Sequence, residues 1–351
     1  MGTVTKGTEN QPVLKMGIIG CGFIATKMTE ALKTLERRGM GVQAYAIASR
    51  TLDKAQKFAE KYGFPKAYGS YLELAQDENV DLVYIATPHS EHYANIKLCL
   101  EQRKNLLVEK AFTANARLAA ETIALAEEKG VFLCEAMWTR FLPALQMLRD
   151  WIYAGRIGKV ESVEADFSMS LTHKERLRNP ALAGGALLDL GIYSLTFADL
   201  FLTDPKIAGD GNRVVRTETK CIKFGTGVDA TDWIDLAYTN GQIAHLKTSM
   251  VCPLRNEGAI YGDKGFIRVQ NLNDMVEIQL FDSAGAPVES VKPPRLENGY
   301  EYEVLACKDA LARGLRECPE MTHAKTLEMM EQMDKLRETW GVTFPFEQGR
   351  A

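Results

Sequence analysis

The chain has 351 residues, 25% of them charged, and a formal net charge of −4 at pH 7. This length allows two domains with substantial cores, and the slight acidic excess argues against nucleic acid as a partner because there is no broad basic field. No apolar run reaches the ~18 residues that a membrane span needs, so no membrane partner is expected. The seven cysteines form no C-x-x-C pair, which favours free thiols and a cytoplasmic location.

The beginning of the chain holds the most informative motif. Residues 1–12 are polar and are expected to form a flexible tail, after which an apolar stretch runs into the sequence GCGFIA. A helical pattern follows at once, and a strand, G-x-G-x-x-A and a helix together are typical of a dinucleotide-binding turn. Gly20 would allow the tight turn, and Gly22 would let the backbone approach a pyrophosphate. We predict that Gly20, Gly22, Phe23 and Ile24 bind a cofactor; a purely structural turn is the alternative.

Strands and helices alternate over the next hundred residues. Apolar runs predict strands, and amphipathic runs between them predict helices, the last of which Thr113 is expected to cap. This alternation predicts a parallel, doubly wound sheet in a Rossmann-type domain over residues 13–136. The predicted strands after the first are 43–48, 80–87, 105–108 and 131–134, and the predicted helices are 26–38, 52–62, 70–77, 91–101 and 113–129.

The pattern changes near residue 137. Alternating apolar and polar residues predict strands, including a hairpin that turns at Asn240-Gly241, a pair favoured in type I′ turns. We therefore predict an α+β domain over residues 137–351 that binds substrate, with an open, mainly antiparallel sheet whose free face forms a homodimer. The predicted strand regions are 159–169, 233–249, 259–269 and 276–291, and the predicted helices are 182–202, 300–314 and 323–340.

Polar residues cluster where the strands of the predicted parallel sheet end, and open parallel sheets bind ligands at that edge. The clusters are Ser49-Arg50, the sequence TPHSEH from Thr87 to His92, and Glu109-Lys110. In the second predicted domain, Asp189 and Tyr193 lie four residues apart, so one helix would place both side chains on the same face.

Two pairs of residues receive a plainer interpretation. His89 and His92 have the spacing of metal ligands, but no cysteine or second histidine cluster completes a ligand set, so no metal is expected. A plain helix start is the alternative to a cofactor contact for this pair. Arg176 and Arg178 are expected to be surface charges.

The motifs taken together resemble a known family. The chain contains, in this order, GCGFIA, ASR, TPHSEH, VEKAF, EAMWTRFLP, GGALLDLGIY and GVTFPFE. This set resembles the glucose–fructose oxidoreductase / inositol dehydrogenase (GFO/IDH/MocA) superfamily. The EAMWTRF and D-x-G-x-Y variants are most similar to its dimeric dihydrodiol dehydrogenase / NADP-linked D-xylose dehydrogenase branch. The resemblance covers nearly the whole chain after the tail and implies a Rossmann domain followed by an open antiparallel sheet used for dimerisation.

The resemblance implies a role for three residues. Lys110 would hydrogen-bond the reacting oxygen, Tyr193 would be the general acid/base, and Asp189 would orient Lys110 or the substrate hydroxyl. Because an ordinary tyrosine has a pKa of about 10, the adjacent Lys110 ammonium is expected to lower the pKa of Tyr193. Relatives carry proline after this lysine and the present chain has Ala111, so the Lys110–Ala111 peptide bond is left open as cis or trans.

The resemblance also extends the expected cofactor site along the ends of the strands. It places His89 and His92 along the cofactor, and the strand-end residues Thr87, Glu109 and Lys110 are also expected to contact it. Trp138 and Arg140 follow the last strand of the Rossmann domain and are expected to pack on the nicotinamide edge or to contact substrate. Ordinary packing between the domains is the alternative for these two.

The residues after the second strand predict which cofactor is used. NAD-specific Rossmann domains place an acidic residue there to bind the ribose 2′-hydroxyl, whereas this chain has Ser49 and Arg50 and no acid before Asp53. Ser49 and Arg50 would bind a 2′-phosphate, and Lys54 lies within reach of the same charge. We predict NADP rather than NAD; a solvent-facing Arg50 is the alternative.

These observations predict an NADP-dependent oxidoreductase that moves hydride between nicotinamide and a hydroxyl-bearing carbon of a sugar or a vicinal diol. A keto-sugar or carbonyl reductase working in the opposite direction is the first alternative, because cofactor ratios set the direction. A non-catalytic, cofactor-binding regulatory protein is the second, and the set of Lys110, Asp189 and Tyr193 argues against it. The expected partners are the small-molecule substrate and a second copy of the chain.

Overall fold

The computed structural model describes residues 13–347, so the tail expected over 1–12 lies outside the described residues. Two β-sheets, one parallel and one mainly antiparallel, organise the described chain. Helices flank both sheets. This architecture confirms the predicted α/β fold class.

The first sheet has six parallel strands in the order β3-β2-β1-β4-β5-β6. Strand order reverses between β1 and β4, and a ligand crevice opens beyond the carboxyl ends of strands at such a point. Strand β4 reads LVYI and is buried on both faces, as expected for a strand covered by helices. The strands are β1 (Leu14–Ile19), β2 (Val42–Ala48), β3 (Lys66–Tyr68), β4 (Leu82–Ile85), β5 (Asn105–Glu109) and β6 (Leu133–Ala136). The helices between them are α1 (Phe23–Arg37), α2 (Leu52–Tyr62), α3 (Tyr71–Gln76), α4 (His89–Glu101) and α5 (Ala116–Lys129).

Two details of this region differ from the sequence prediction. Asn115 rather than Thr113 caps α5: the Asn115 side chain accepts a hydrogen bond from Leu118 N at 3.0 Å, while the Thr113 hydroxyl donates to the Asn115 carbonyl at 2.8 Å. Both residue types are good caps, and the local backbone decides between them. Strand β3 was not predicted, because its three residues are too few for an alternating pattern to show.

The second sheet has eight strands in the order β14-β13-β12-β11-β7-β10-β9-β8. Neighbouring strands are antiparallel except for the central β7–β10 pair, which is parallel. The predicted hairpin is confirmed, with Gly241 at a φ of +89° in its turn. Strand β8 was not predicted, because this edge strand buries no side chain and therefore lacks an apolar pattern. The strands are β7 (Val160–Ser168), β8 (Val214–Lys223), β9 (Asp229–Tyr238), β10 (Ile243–Ser249), β11 (Arg255–Gly262), β12 (Gly265–Gln270), β13 (Glu277–Asp282) and β14 (Pro287–Val291).

The apolar segment over 182–202 is not the single helix that its composition predicts. A 3-10 turn at Pro180–Leu182 and a π-helical turn at Leu187–Gly191 precede α8 (Ile192–Leu202). By length and composition alone, the stretch from 180 to 202 would suffice to cross a membrane. However, 89% of its most apolar 18-residue segment is buried within the fold. Helix α8 packs on β7 and β10, and the turn before it lies against the same central strands of the second sheet.

The remaining helices connect the two layers. Helix α10 (Glu301–Ala312) packs against α1, and α11 (His323–Trp340) packs against both α5 and α8. The C-terminal part of the chain therefore also covers the first sheet, which holds the two sheets in a fixed relation. Short helices complete the set, namely α6 (Pro143–Tyr153), α7 (Glu175–Arg178) and α9 (Pro205–Ala208).

Candidate active site

A cleft opens at the edge of the first sheet where the strand order reverses, and the second sheet forms its opposite wall. The cavity has a volume of about 420 Å³. The first sheet contributes the turn after β1 and the residues that follow β4 and β5. The lining residues are Gly22, Phe23, Ile24, Ala86, Thr87, Pro88, His89, Glu109, Lys110, Phe167, Met169, Leu171, Lys174, Arg176, Asp189, Leu190, Tyr193, Asn273 and Tyr300.

The turn after β1 suits the close approach of an anion. Gly20 has a φ of +104°, and a Cβ there would lie 2.7 Å from the Ala86 carbonyl oxygen, so the position requires glycine. A Cβ on Gly22 would meet nothing within 4 Å, so this backbone faces open space. Helix α1 begins at Phe23 with neither a side-chain cap nor an acidic residue in its first turn, which leaves its N–H groups free. The turn therefore fits the pyrophosphate of a dinucleotide.

The three predicted catalytic side chains lie together in this cleft. Lys110 Nζ donates a hydrogen bond to the backbone oxygen of Asp189 at 2.7 Å and lies 3.8 Å from Asp189 Oδ1. The same ammonium lies 4.8 Å from the centre of the Tyr193 ring, which is a cation–π contact. The Lys110–Ala111 peptide bond, which the sequence left open, is cis. Because these groups are removed from water, the charges act on one another strongly.

Asp189 is a buried anion beside two cations. Burial alone would raise the pKa of its carboxyl, but Lys110 and Arg176 outweigh burial and lower that pKa to about 2. Arg176 Nη2 lies 3.3 Å from Asp189 Oδ1, and Arg176 lines the cleft. Arg176 is exposed, as expected of a surface charge, and it also pairs with Asp189 because α7 lies beside the turn that carries this aspartate. Arg178 is exposed, as expected.

Tyr193 is held in place by an aromatic pair. Trp138 Nε1 donates a hydrogen bond to the Tyr193 hydroxyl at 2.9 Å, and the Trp138 ring stacks on Tyr300 with 4.7 Å between ring centres. Burial, followed by the nearby carboxyl group of Glu109, raises the pKa of Tyr193 well above its ordinary value. This direction is opposite to the lowering that was expected from Lys110, because burial dominates. The hydroxyl is therefore kept protonated at neutral pH.

Glu109 is a second buried acid of the cleft. The Tyr84 hydroxyl donates a hydrogen bond to the Glu109 carboxylate. Burial raises the pKa of Glu109 to about 7, although Lys110 and Tyr84 act in the opposite direction. This carboxyl group can therefore hold or release a proton near neutral pH, which is a common property of groups at reactive sites.

The two histidines are neutral and take different positions. Burial lowers the pKa of His89 to about 3, and its ring lines the cleft. Burial also lowers the pKa of His92. Both ring nitrogens of His92 lie within 3.2 Å of backbone carbonyl oxygens. The single N–H of the neutral ring donates on one side, so His92 packs between the loop after β5 and the end of β4 instead of lining the cleft. The three oxygens belong to Thr87, Ala111 and Phe112.

Arg140 does not reach the cleft. Its guanidinium forms a buried ion pair with Asp199 of α8, and Lys325 of α11 binds the same carboxylate at 2.8 Å. Arg140 therefore serves the packing of the two parts of the chain, which was the alternative to the expected contact with nicotinamide or substrate. The reason is the 3-10 turn after β6, which aims Arg140 at α8 and α11 while Trp138 in the same turn faces Tyr193. Trp138 does not line the cleft itself, but it contacts Tyr193 and Tyr300, which do.

A second hollow, the α2 hollow, extends the cleft beyond the turn after β1. It has a volume of about 430 Å³ and shares Gly22 and Phe23 with the cleft. Lys54, Lys57 and Lys61 line it with exposed side chains from one face of α2. Of these, the sequence analysis named Lys54 and missed the other two. Their spacing of three and four residues was the available signal, because it places them on the same helix face.

Ser49 and Arg50 directly follow the last residue of β2. Ser49 is 5% exposed, whereas Arg50 is exposed. Burial raises the pKa of Tyr71, and the nearby Arg50 acts in the opposite direction. Asp53, the first acid after β2, forms an ion pair with Lys57 at 2.8 Å. This end of the cleft therefore carries an excess of positive charge.

The sequence analysis missed most of the wall that the second sheet contributes. This wall combines apolar side chains at the end of β7 with polar groups from separate loops. No local motif marks these residues, because each reaches the cleft only through the packing of one sheet against the other. They are Phe167, Met169, Leu171, Lys174, Asn273 and Tyr300.

Comparison with known proteins identifies the family. A family model described as an oxidoreductase family with an NAD-binding Rossmann fold matches residues 14–136, and the GFO/IDH/MocA C-terminal domain matches residues 145–268. The trans-1,2-dihydrobenzene-1,2-diol dehydrogenases of Macaca fascicularis and Homo sapiens are 35% and 34% identical, over 95% of this chain and 98% of each relative. A crystal structure of a 3-ketoreductase from Actinomadura kijaniata with NADP and TDP-benzene has a TM-score of 0.80 at 25% identity. The match covers 93% of this chain and 98% of that chain.

These matches include both sheets and the cleft between them. The cleft itself combines a turn that fits a pyrophosphate with a lysine, an aspartate and a tyrosine in mutual contact. The chain therefore belongs to the GFO/IDH/MocA family of oxidoreductases and is an NAD(P)-dependent dehydrogenase that acts on CH–OH donors.

Proposed function

We propose that this enzyme transfers hydride between NADP and a hydroxyl-bearing carbon of a sugar or a vicinal diol. The observation that carries the proposal is the Lys110–Tyr193 pair, which stands beside the Asp189 anion in a cleft with a phosphate-binding turn. The similarity to dihydrodiol dehydrogenases and to a ketoreductase crystallised with NADP supports it.

The reaction requires a proton to move at the oxygen of the reacting carbon. The nicotinamide ring, when bound, supplies the hydride donor or acceptor. Tyr193 carries a hydroxyl that can hydrogen-bond the substrate oxygen and exchange a proton with it. Lys110 donates a hydrogen bond to the Asp189 backbone oxygen at 2.7 Å, which holds its side chain in place. Its ammonium faces the substrate oxygen and stabilises negative charge on that atom. Trp138 holds the Tyr193 hydroxyl in position.

The similarity to a crystallised 3-ketoreductase supports the reductase as a second candidate. Reduction of a ketone uses a protonated group at the carbonyl oxygen, and burial keeps the Tyr193 hydroxyl protonated in the resting cleft. Oxidation of an alcohol uses the same group in its deprotonated form. Because one tyrosine serves both directions, the cofactor ratio sets the net direction.

The charge at the adenosine end of the cleft supports NADP as the cofactor. Arg50 follows β2 at the place where NAD-specific domains carry an acid. Lys54, Lys57 and Lys61 line the adjoining α2 hollow. A 2′-phosphate would be attracted to these cations, whereas the 2′-hydroxyl of NAD would find no carboxylate at the end of β2.

The wall of the cleft supports a diol or sugar as the substrate class. Phe167, Met169 and Leu171 offer an apolar surface that suits a ring, while Lys174 and Asn273 offer polar groups for hydroxyls. A substrate with one apolar face and several hydroxyl groups would use both parts of this wall.

A scan of substrates tests the proposal. Vicinal diols, aldoses and inositols are offered with NADP⁺ or NAD⁺, keto-sugars and other carbonyl compounds are offered with NADPH or NADH, and the absorbance of the reduced cofactor is followed. We expect turnover of at least one class that is faster with the phosphorylated cofactor. Tight cofactor binding without turnover of any class would favour the regulatory alternative.

The second sheet supports the further proposal of a homodimer. Its outer face exposes Trp233 by 39% among charged residues such as Asp235 and Arg268. A symmetric dimer would cover this face of both copies. Analytical ultracentrifugation should show a dimer at micromolar concentration, and a stable monomer would contradict this arrangement. The free state of all seven cysteines supports the proposed cytoplasmic location.

A further inference from the structure

Three cysteine side chains meet in the core behind the active site. Cys134 lies on β6, Cys307 lies on α10, and Cys318 follows α10 in a short bridge to Met321. All three are buried, and their sulfur atoms lie within 4.8 Å of one another. Because the three residues come from separate segments, no spacing in the sequence indicates the cluster.

The separation of the sulfur atoms suits a shared metal ion better than a disulfide. Cys307 Sγ and Cys318 Sγ lie 3.8 Å apart. Two thiolates bound tetrahedrally to zinc, each at about 2.3 Å, would lie about 3.8 Å apart. A disulfide needs about 2.05 Å between the sulfur atoms, so its formation would require both side chains to move. The Cys134 sulfur, within 4.8 Å of both, is already close to the spacing of a ligand.

A fourth candidate ligand lies on the same face of α10, and its carboxylate stands outside the 4.8 Å within which the three sulfur atoms meet, so binding requires this side chain to turn toward them. Glu303 stands four residues before Cys307, and this spacing places both side chains on one side of the helix. The Glu303 carboxylate is buried, and neither of its oxygen atoms has a hydrogen-bond partner among the described residues. A buried carboxylate without a partner is costly in free energy, and a bound cation removes that cost.

We propose that Cys134, Cys307 and Cys318 form a binding site for a thiophilic metal ion of the zinc class, with Glu303 as the fourth ligand. Binding displaces the protons of the three thiols and of the carboxyl group, and nothing is oxidised or reduced. The complete set carries the same net charge as a four-cysteine zinc site, which proteins accommodate. The ion links β6 to α10 and so stabilises the strand next to the one that carries Lys110.

Direct titration of the full-length protein tests this site. The protein is reduced with a phosphine under anaerobic conditions, treated with a chelator, desalted and titrated with Cd²⁺, while the sulfur-to-cadmium charge-transfer absorbance is recorded. We expect one equivalent of Cd²⁺ to bind, Zn²⁺ to compete for the same site only at higher concentration, and either ion to raise the melting temperature. A wild-type protein that shows no charge-transfer band overturns the proposal, whatever the variants do.

Four variants then locate the site. Cys307→Ser and Cys318→Ser are expected to weaken Cd²⁺ binding by about 100-fold or more, and Glu303→Gln by roughly tenfold. Cys99→Ser, which replaces a buried thiol on α4 outside the cluster, is the matched control and should bind as the wild type does. Circular dichroism identifies any variant that fails to fold. Folded Cys307→Ser that binds Cd²⁺ as tightly as Cys99→Ser overturns the assignment of these ligands.

Discussion

The two ends of the cofactor cleft are organised in different ways. At the end next to β5, Asp189 and Tyr193 are buried, the Lys110 side chain is 12% exposed, and each contacts a partner within the protein. At the end next to β2, Arg50 and Lys54 have exposed side chains. The first end is therefore arranged by the fold itself, whereas the second presents positive charge to solvent.

This difference indicates what each end can contribute. Buried charges act on one another with little screening, so their geometry is fixed before a ligand arrives and can favour one step of a reaction. Exposed charges are screened by salt and water and attract a ligand without holding it in one pose. Substitutions at the buried end should change turnover, and substitutions at the exposed end should change the affinity for the cofactor.

The largest effect is expected for Tyr193→Phe. Phenylalanine keeps the ring over Lys110 but removes the group that exchanges the proton. The kcat should fall by roughly 10²–10⁴-fold with the affinity for NADP nearly unchanged. Steady-state kinetics and cofactor titration measure the two quantities. Tyr238→Phe alters a buried tyrosine outside the cleft and should leave both unchanged; wild-type turnover in Tyr193→Phe would remove this residue from the mechanism.

Arg50→Ala is expected to act on affinity instead of turnover. Loss of one charge-assisted hydrogen bond should weaken NADP binding by about 1.5–3 kcal/mol, roughly 10- to 150-fold, and barely affect NAD. Calorimetric titration of both cofactors measures the difference. Arg37→Ala removes an exposed arginine at the far end of α1 and serves as the control. Equal losses for NADP and NAD would show that Arg50 does not bind the 2′-phosphate.

The buried end should also make the stability of the protein depend on pH. Glu135 accepts hydrogen bonds from Phe112 N at 3.1 Å and from the Thr326 hydroxyl at 3.0 Å, and burial raises its pKa from 4.5 to about 7. Between these values the folded chain keeps a proton that the unfolded chain has lost. The free energy of unfolding therefore falls as the pH rises through this range, and the loss is complete above the folded pKa.

Glu135→Gln isolates this contribution. Glutamine has the same shape, can accept from Phe112 N, and does not ionise. The fall in the free energy of unfolding between about pH 5 and 7 should shrink by on the order of 1–2 kcal/mol. Urea unfolding at a series of pH values measures it, with exposed Glu128→Gln as the control. An unchanged pH dependence in Glu135→Gln would show that this carboxyl ionises normally.

The smallest effect is expected for Trp138→Phe. Phenylalanine can still stack on Tyr300, but it lacks the indole N–H that donates to the Tyr193 hydroxyl. The loss of one neutral hydrogen bond, about 0.5–1.5 kcal/mol, should lower kcat by roughly two- to tenfold and shift its pH profile. The KM for substrate should change less than kcat. An unaltered kcat and pH profile would mean that Trp138 does not position Tyr193.

The first sheet could be predicted because its signals are local. The glycines after β1, the apolar run of β4 and the alternation of strands and helices each lie within one short segment of sequence. The second sheet was predicted less completely. Its edge strand β8 buries no side chain, and the apolar segment over 182–202 is broken by a π-helical turn that composition does not encode.

In the candidate site, too, the residues that belong to sequence motifs could be predicted, and those that depend on contacts between distant segments could not. Resemblance to the family named Lys110, Asp189 and Tyr193, and the fold brings them together. Arg140 was expected in the site from its position after the last strand of the Rossmann domain, and it pairs with Asp199 instead. Residues of the opposite wall, such as Phe167, belong to no motif and become neighbours of the cleft only when the two sheets pack.

The sequence by itself determined the Rossmann topology, the phosphate-binding turn and the positive charge after β2, because backbone freedom, periodicity and composition are properties of neighbouring residues. Only the tertiary structure decided the partner of Arg140, the raised pKa of Tyr193 and the meeting of Cys134, Cys307 and Cys318. These features depend on burial and on contacts between distant parts of the chain. Burial sets the cost of a charge, and that cost does not exist until the two sheets close over the residue.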